Sequence, residues 1–324
     1  MIETTQRIIK ERRAVIVFQI AILVFILVGL FNAYLSEHNQ TAAVAVPANL
    51  DTAPLKQPNT DVPQKLKDIA VRGKAAYVFD IQNQRVLYAK NEDAVLPLAS
   101  ITKLMTTLLA YELTDQQKAA VISARALSQD GSSGLSEGER LTIQELNKLA
   151  LVASSNDAAF ALGASVGALL GDKDPTTQFV AGMNVKADEL KLSSLKFKNT
   201  TGLDLSPTEP GAVGSAKDVS FLIEYILKNH PELLEATTHG GARVYDKDGA
   251  YHDIENTNEI LYAIPNLLGS KTGYTDLAGG NLTIAFDAGM NRPIIVTVLG
   301  STREERFSDV LRLVHAVQRN VNEI

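Results

Sequence analysis

The sequence predicts an α+β domain, an antiparallel sheet flanked by helices with a mainly helical subdomain inserted between the sheet's two parts. An N-terminal transmembrane helix is expected ahead of it. Three observations lead there. Strand character is confined to the two ends of the folded part, helical stretches and caps fill the middle, and an apolar run extends from Ala14 to Phe31.

The apolar run comes first in the chain. Gln19 is its only clearly polar residue, and as a helix it is about 27 Å long against a bilayer core of ~30 Å. Arg7, Lys10, Arg12 and Arg13 precede it, offset by Glu3 and Glu11, and no Lys or Arg follows until Lys56. That asymmetry puts the N-terminus in the cytoplasm and the remainder outside. A cleaved signal peptide or a buried core helix are the rival readings, but the small-x-small triplet Ala43-Val44-Ala45 is too far downstream for cleavage. The expected division is a basic cytoplasmic tail (1–13), a transmembrane signal anchor (14–35), a linker (36–66) and a folded domain (67–324). Pro47, Pro54, Pro58 and Pro63 punctuate the linker, which spans roughly 30 Å as a flexible coil or about 90 Å in polyproline form.

Within the domain, Ala75 to Ile81 and Arg85 to Lys90 read as strands of a hairpin turning at Gln82-Asn83-Gln84. A helix follows Pro97, from about Ala99 to Leu113, and residues 120–265 read mainly as helices. Thr142 with Glu145 spells a capping box, Ser215 with Asp218 gives a similar signal, and Pro231 closes the second of these helices. Strand character returns at Gly269–Thr275, Asn281–Phe286 and Ile294–Leu299, before a last helix from roughly Glu304 to Val321.

Composition narrows the function classes. Apolar residues make up 45% and charged residues 21%, enough for a full core. The absence of cysteine removes disulfides, zinc-thiolate sites and a lipoprotein anchor. A net charge of −6 without a long basic run gives no reason to expect nucleic-acid binding. The five histidines, His38, His230, His239, His252 and His315, show no paired metal-ligand spacing, so neither metal nor cofactor is expected.

Three short patterns occur in order: Ser100-Ile-Thr-Lys103, Ser154-Ser-Asn156 and Lys271-Thr-Gly273. Ser-x-x-Lys alone carries little information, since a chain this long holds roughly one by chance. Ser193-Ser-Leu-Lys196 is a second match here. Ser100, however, falls in the first turn of its helix, where free N–H groups and the positive helix end favour an alkoxide or oxyanion. Lys103, three residues on, lies on the same face. A neutral lysine can take the serine proton, and burial beside a second cation, Lys271, would lower its pKa. The bland alternative is a capping serine and a solvated lysine.

Ser154 and Asn156 sit at a break between two helical stretches, 142–153 and 157–169, where Ser154 can relay a proton and Asn156 can donate to a substrate amide. A helix cap explains the same residues. Lys271-Thr272-Gly273 lies on a strand; Gly273 lets a peptide approach the strand edge, Thr272 can bond a carboxylate, and Lys271 adds charge. An ordinary Thr-Gly turn after a surface lysine is the competing explanation.

Together the motifs match the catalytic signature of serine penicillin-binding proteins and β-lactamases. From about Lys74 to Leu313 the chain resembles the serine-type D-alanyl-D-alanine carboxypeptidases, the low-molecular-mass penicillin-binding proteins. Further stretches carry that resemblance: Gly138 to Thr142, Ser155 to Ala159, Met183-Asn184, Phe197 to Asp204, Tyr274 to Gly279 and Arg306-Phe307. The resemblance implies a penicillin-binding-protein transpeptidase-like fold and removal of the terminal D-Ala from peptidoglycan peptides ending in D-Ala-D-Ala. It also implies inhibition by β-lactams and work outside the cytoplasm of a bacterial cell. Ser100 would be the nucleophile and Lys103 its base. The amides of Ser100 and Tyr274 would form the oxyanion hole, and Thr272 and Arg306 would hold the terminal carboxylate, with Arg303 as a rival for Arg306. The chain departs from the pattern at Ser155, where glycine is common. It also ends after the last helix, without the C-terminal β domain and amphipathic anchor of many members, which suits an N-terminal anchor.

A β-lactamase shares these motifs but needs a deacylating glutamate, for which Glu189-Leu-Lys-Leu-Ser193 is a near miss. A DD-endopeptidase would use the same site. A catalytically silent wall-binding protein is opposed by the complete set of motifs, and a zinc DD-peptidase by the scattered histidines.

Overall fold

The computed structural model describes residues 62–320, apart from 132 and 172. The expected tail, membrane helix and most of the linker lie outside the described residues, and among the described residues no helix is long and apolar enough to cross a membrane.

After a short helix α1 (Gln64–Lys67) come strands β1 (Ala75–Asp80), β2 (Arg85–Lys90) and β3 (Leu96–Pro97) and a 3₁₀ turn at Ala99–Thr102, then helix α2 (Lys103–Leu113). The insertion holds β4 (Ala119–Val121), α3 (Ala124–Leu127), β5 (Arg140–Thr142), α4 (Ile143–Leu151), α5 (Asn156–Gly167), α6 (Pro175–Glu189), β6 (Lys196–Phe197), β7 (Ala212–Gly214), α7 (Ala216–Asn229), α8 (Glu232–Glu235), β8 (Gly241–Tyr245) and β9 (Tyr251–Glu255). The chain closes with β10 (Leu267–Thr275), β11 (Gly279–Asp287), β12 (Pro293–Ser301) and α9 (Glu305–Asn320).

The main sheet is antiparallel in the order β10-β11-β12-β1-β2, so sequence-terminal strands pair directly, Val78 opposite Val296 for example. Every residue of β1 is buried because both faces are covered. Ala75, Tyr77 and Phe79 join the core built with α2 and α7, while Ala76 and Val78 join a second core built with α9. That two-residue alternation assigns each side chain to one layer. Phe221 of α7 meets Phe79 edge-on at 5.3 Å between ring centroids. On the opposite face, Phe307, Val310, Val314 and Val317 repeat at helical spacing along α9 and fill the second core.

The middle of the chain is less purely helical than its sequence suggests. Two- and three-residue strands (β3-β7-β6 and β4-β5) and the β8-β9 hairpin run through it. The first two are too short for period-two patterning to register. In β8-β9, Val244 and Ile254 are buried between exposed neighbours, across a turn at Asp246-Lys-Asp-Gly249. The expected capping box is half formed. Thr142 Oγ1 accepts from Glu145 N at 3.1 Å, but the Glu145 carboxylate pairs with Lys148 and accepts from Tyr245 N. At α7 the Ser215 hydroxyl accepts from Asp218 N, and the Asp218 carboxylate accepts from both N and Oγ of Ser194. In the second Ser-x-x-Lys, Ser193 is exposed and the exposed Lys196 pairs with Asp188.

Candidate active site

The site forms where the N-terminal end of α2, the α4-α5 turn and the edge strand β10 meet. Ser100 lies in the 3₁₀ turn, one step before the regular α-helix, and not in a first α-helical turn as its sequence suggested. Its approach is pinned. Leu98 N donates to Ala212 O at 3.0 Å, and Asn281 Nδ2 donates to the carbonyls of Pro97 and Leu98, each at 3.0 Å. Ala99 then adopts φ +48°, a conformation that costs a non-glycine residue of order 1–3 kcal/mol and persists only where its surroundings enforce it.

Lys103 is fully buried, and its Nζ has three partners: Ser100 Oγ at 2.7 Å, Asn156 Oδ1 at 2.7 Å and Thr201 O at 2.8 Å. The last two can only accept. A neutral amine spends its two N–H bonds on them and leaves its lone pair to the serine hydroxyl, the arrangement a general base requires. Burial, and next the charge of Lys271, push the Lys103 pKa well below the ordinary lysine value.

Lys271 sits in β10 and is also buried. Its Nζ donates to Ser154 Oγ at 2.8 Å and to Thr272 O at 3.0 Å. Burial, reinforced by the Arg306 charge, lowers its pKa to about 7. Ser154 is held at φ +59° between α4 and α5, a second strained position in the site. The Ser155 hydroxyl accepts from Ala158 N at 3.0 Å, so the residue standing at the common glycine position caps α5. Asn156 Oδ1 accepts from Lys103 and one Nδ2 proton goes to Asp130 O at 2.6 Å, which leaves the second Nδ2 proton uncommitted.

Steric room accounts for Gly273. A Cβ there would come within 2.9 Å of Leu98 O and 3.2 Å of Ser100 N, so no side chain fits between the edge strand and the serine turn. Gly202 does the same from the far side: at φ +81°, its added Cβ would strike Ala99 O at 1.9 Å. Tyr274 is half-exposed, with the Arg303 guanidinium 5.3 Å from its ring centroid. Arg306 is buried; its Nη1 donates to Gly273 O at 2.9 Å and its Nε has no partner. Asp309, three residues on along the same helix, is engaged instead by Arg72 N, Gly73 N, Ser301 Oγ and Arg312.

The structure therefore brings Ser100, Lys103, Ser154, Asn156, Lys271, Thr272 and Gly273 to one place, with Arg306 on the Gly273 carbonyl. Sequence reasoning missed the Thr201 carbonyl, Asn281, Asp130 and Thr257, whose Oγ1 lies 2.6 Å from Thr272 Oγ1. Only Thr201 carried a signal, as part of the singled-out Phe197–Asp204 stretch. Glu189, the β-lactamase-like candidate, is exposed at the end of α6. His230 pairs with Glu112 and His252 with Glu139.

A family profile described as D-alanyl-D-alanine carboxypeptidase matches residues 60–303. The D-alanyl-D-alanine carboxypeptidase DacF of Bacillus subtilis is 33% identical over 257 residues, 78% of this chain and 63% of that protein. A D-alanyl-D-alanine endopeptidase of Pseudomonas aeruginosa is 27% identical, covering 89% of this chain and 86% of its own. The chain spans about three fifths of the length of the curated carboxypeptidases DacF, DacC and DacD that it matches. Among solved structures, penicillin-binding protein D2 from Listeria monocytogenes in its ampicillin-bound form superimposes with a TM-score of 0.66 at 30% identity, covering 77% of this chain and 98% of that one.

Proposed function

This chain belongs to the D-alanyl-D-alanine carboxypeptidase family, and from that premise we propose that it removes the terminal D-Ala from peptidoglycan stem peptides through an acyl-enzyme on Ser100. The observation that carries this reading is the saturated Lys103 amine, with two fixed acceptors and the Ser100 hydroxyl 2.7 Å away.

In the first step Lys103 Nζ takes the Ser100 proton as Oγ bonds to the penultimate D-Ala carbonyl carbon. The carbonyl oxygen becomes an oxyanion facing the amides of Ser100 and Tyr274. The C–N bond then breaks, and the departing D-Ala amine takes a proton from the Lys103 ammonium, with the Ser154–Lys271 hydrogen bond available as a second route. Water attacks the ester, its proton passing to Lys103 and on to Ser100, and the shortened peptide leaves. The terminal carboxylate is read by Thr272 and Arg306. β-Lactams acylate the same serine because they present an equivalent amide carbonyl and carboxylate.

Residues 14–35 serve as the anchor in this reading, with the tail (1–13) inside and the linker (36–66) holding the 67–324 domain at the wall. Cleavage of peptide crosslinks is the second reading, favoured by the coverage of the Pseudomonas endopeptidase. The test is D-alanine release by the full chain in detergent from a pentapeptide ending in D-Ala-D-Ala, beside cleavage of a crosslinked dimer peptide. Turnover of the pentapeptide alone supports the carboxypeptidase, turnover of the dimer alone the endopeptidase, and turnover of neither overturns both.

A further inference from the structure

Thr257 follows β9 in an Asn256-Thr-Asn258 turn that sequence motifs do not single out. The turn is fastened on several sides. Asn256 Nδ2 donates to the carbonyls of Thr237 and His239, each at 2.8 Å, and Thr237 Oγ1 in turn accepts from Ser270 N of β10 at 3.0 Å. Thr257 N donates to Val152 O at 3.1 Å, at the end of α4 and two residues before Ser154. The Thr257 hydroxyl thus lies between two parts of the site, 2.6 Å from Thr272 Oγ1 and 3.5 Å from Val152 O.

A hydroxyl has one proton, so this pair has two arrangements. In one, Thr272 donates to Thr257, which donates to the Val152 carbonyl, and Thr272 has no proton left for a substrate. In the other, Thr257 donates to Thr272, and the Thr272 proton is free for an anionic acceptor beside β10. A carboxylate stabilises the second arrangement, since a hydrogen bond to a charged acceptor is stronger than one to a carbonyl at the limit of reach.

We propose that Thr257 is a positioning residue for carboxylate recognition, setting the direction in which the Thr272 hydroxyl donates. This rests on the reading that Thr272 binds the substrate's terminal carboxylate. The role needs a hydroxyl fixed at this spot, so serine can fill it and valine, of nearly the same shape, cannot.

The experiment compares the parent with Thr257→Val, Thr257→Ser and Thr272→Val on peptides ending in free D-Ala-D-Ala and in its C-terminal amide. Thr257→Val is expected to lower the free-acid to amide ratio of kcat/KM by roughly tenfold, the worth of one hydrogen bond to a charged group, with the loss in KM. Thr257→Ser should recover most of that ratio. Thr272→Val should lower it at least as far, and Thr257→Val added to it should lower it no further. A ratio unchanged in Thr257→Val, or unrestored by serine, overturns the role of Thr257. An unchanged ratio in Thr272→Val, or a parent that releases no D-alanine, overturns the underlying reading of the site and this role with it.

Discussion

Lys271 Nζ donates to Ser154 Oγ at 2.8 Å, joining two residues 117 positions apart and placing a second buried amine beside the one on Ser100. The consequence is electrostatic. Two lysines share a desolvated site with only neutral hydrogen-bond partners, so each resists protonation and the base needs no alkaline medium to be neutral.

That coupling has a testable sign. In the proposed mechanism Lys103 works as the neutral amine, so the rate of acylation by penicillin should rise with pH along a limb set by its depressed pKa. Lys271 lowers that pKa through its charge, which it holds below about pH 7. Lys271→Gln removes the charge and should move the midpoint of the limb to higher pH by about one unit, a usual size for a near charge. Stopped-flow acylation across pH measures it. A midpoint that stays put or falls shows that Lys271 does not act on the base this way.

Arg306 separates carboxylate recognition from chemistry. A charge-assisted contact contributes ~1.5–3 kcal/mol, so Arg306→Ala should lower kcat/KM on D-Ala-D-Ala peptides by roughly 10- to 150-fold. C-terminally amidated peptides should be poor for the parent and hardly worse for the variant. Because Arg306 Nη1 also holds the Gly273 carbonyl, an equal loss on both substrates with a lower melting temperature would assign it to bracing the strand. Arg303→Ala, run beside it, tests the neighbour that stacks on Tyr274.

The ends of the fold were legible because the long strands are runs rich in apolar residues and α9 repeats its apolar face at helical spacing. The short strands β3 to β7 were not, since two or three residues cannot display a period. Ser100, Lys103, Lys271 and Gly273 were legible because local chemistry fixes their spacing: three residues bring a helical lysine to a serine, and adjacent strand residues share an edge. Thr257 and Asn281 act through contacts between distant segments, and such contacts leave no mark in one sequence. Asn156 was read as a substrate donor; its bracing contacts, Oδ1 accepting from Lys103 and one Nδ2 proton going to Asp130 O, join distant segments and left no such mark.

Topology gives an independent prediction, from the basic flank before Ala14. Protease added to intact spheroplasts should cut the domain beyond Lys67, and the mature protein should retain Met1 to Phe31. A mature N-terminus near Val46 would make the apolar run a cleaved signal instead.

The central claim is that Ser100, activated by Lys103, carries the acyl group. The direct measurement is peptide mapping by mass spectrometry after brief exposure of the full chain to a labelled penicillin. One adduct on the peptide containing Ser100 is expected, lost in Ser100→Ala while the melting temperature is kept. An adduct on Ser193, or labelling that survives Ser100→Ala, contradicts the account.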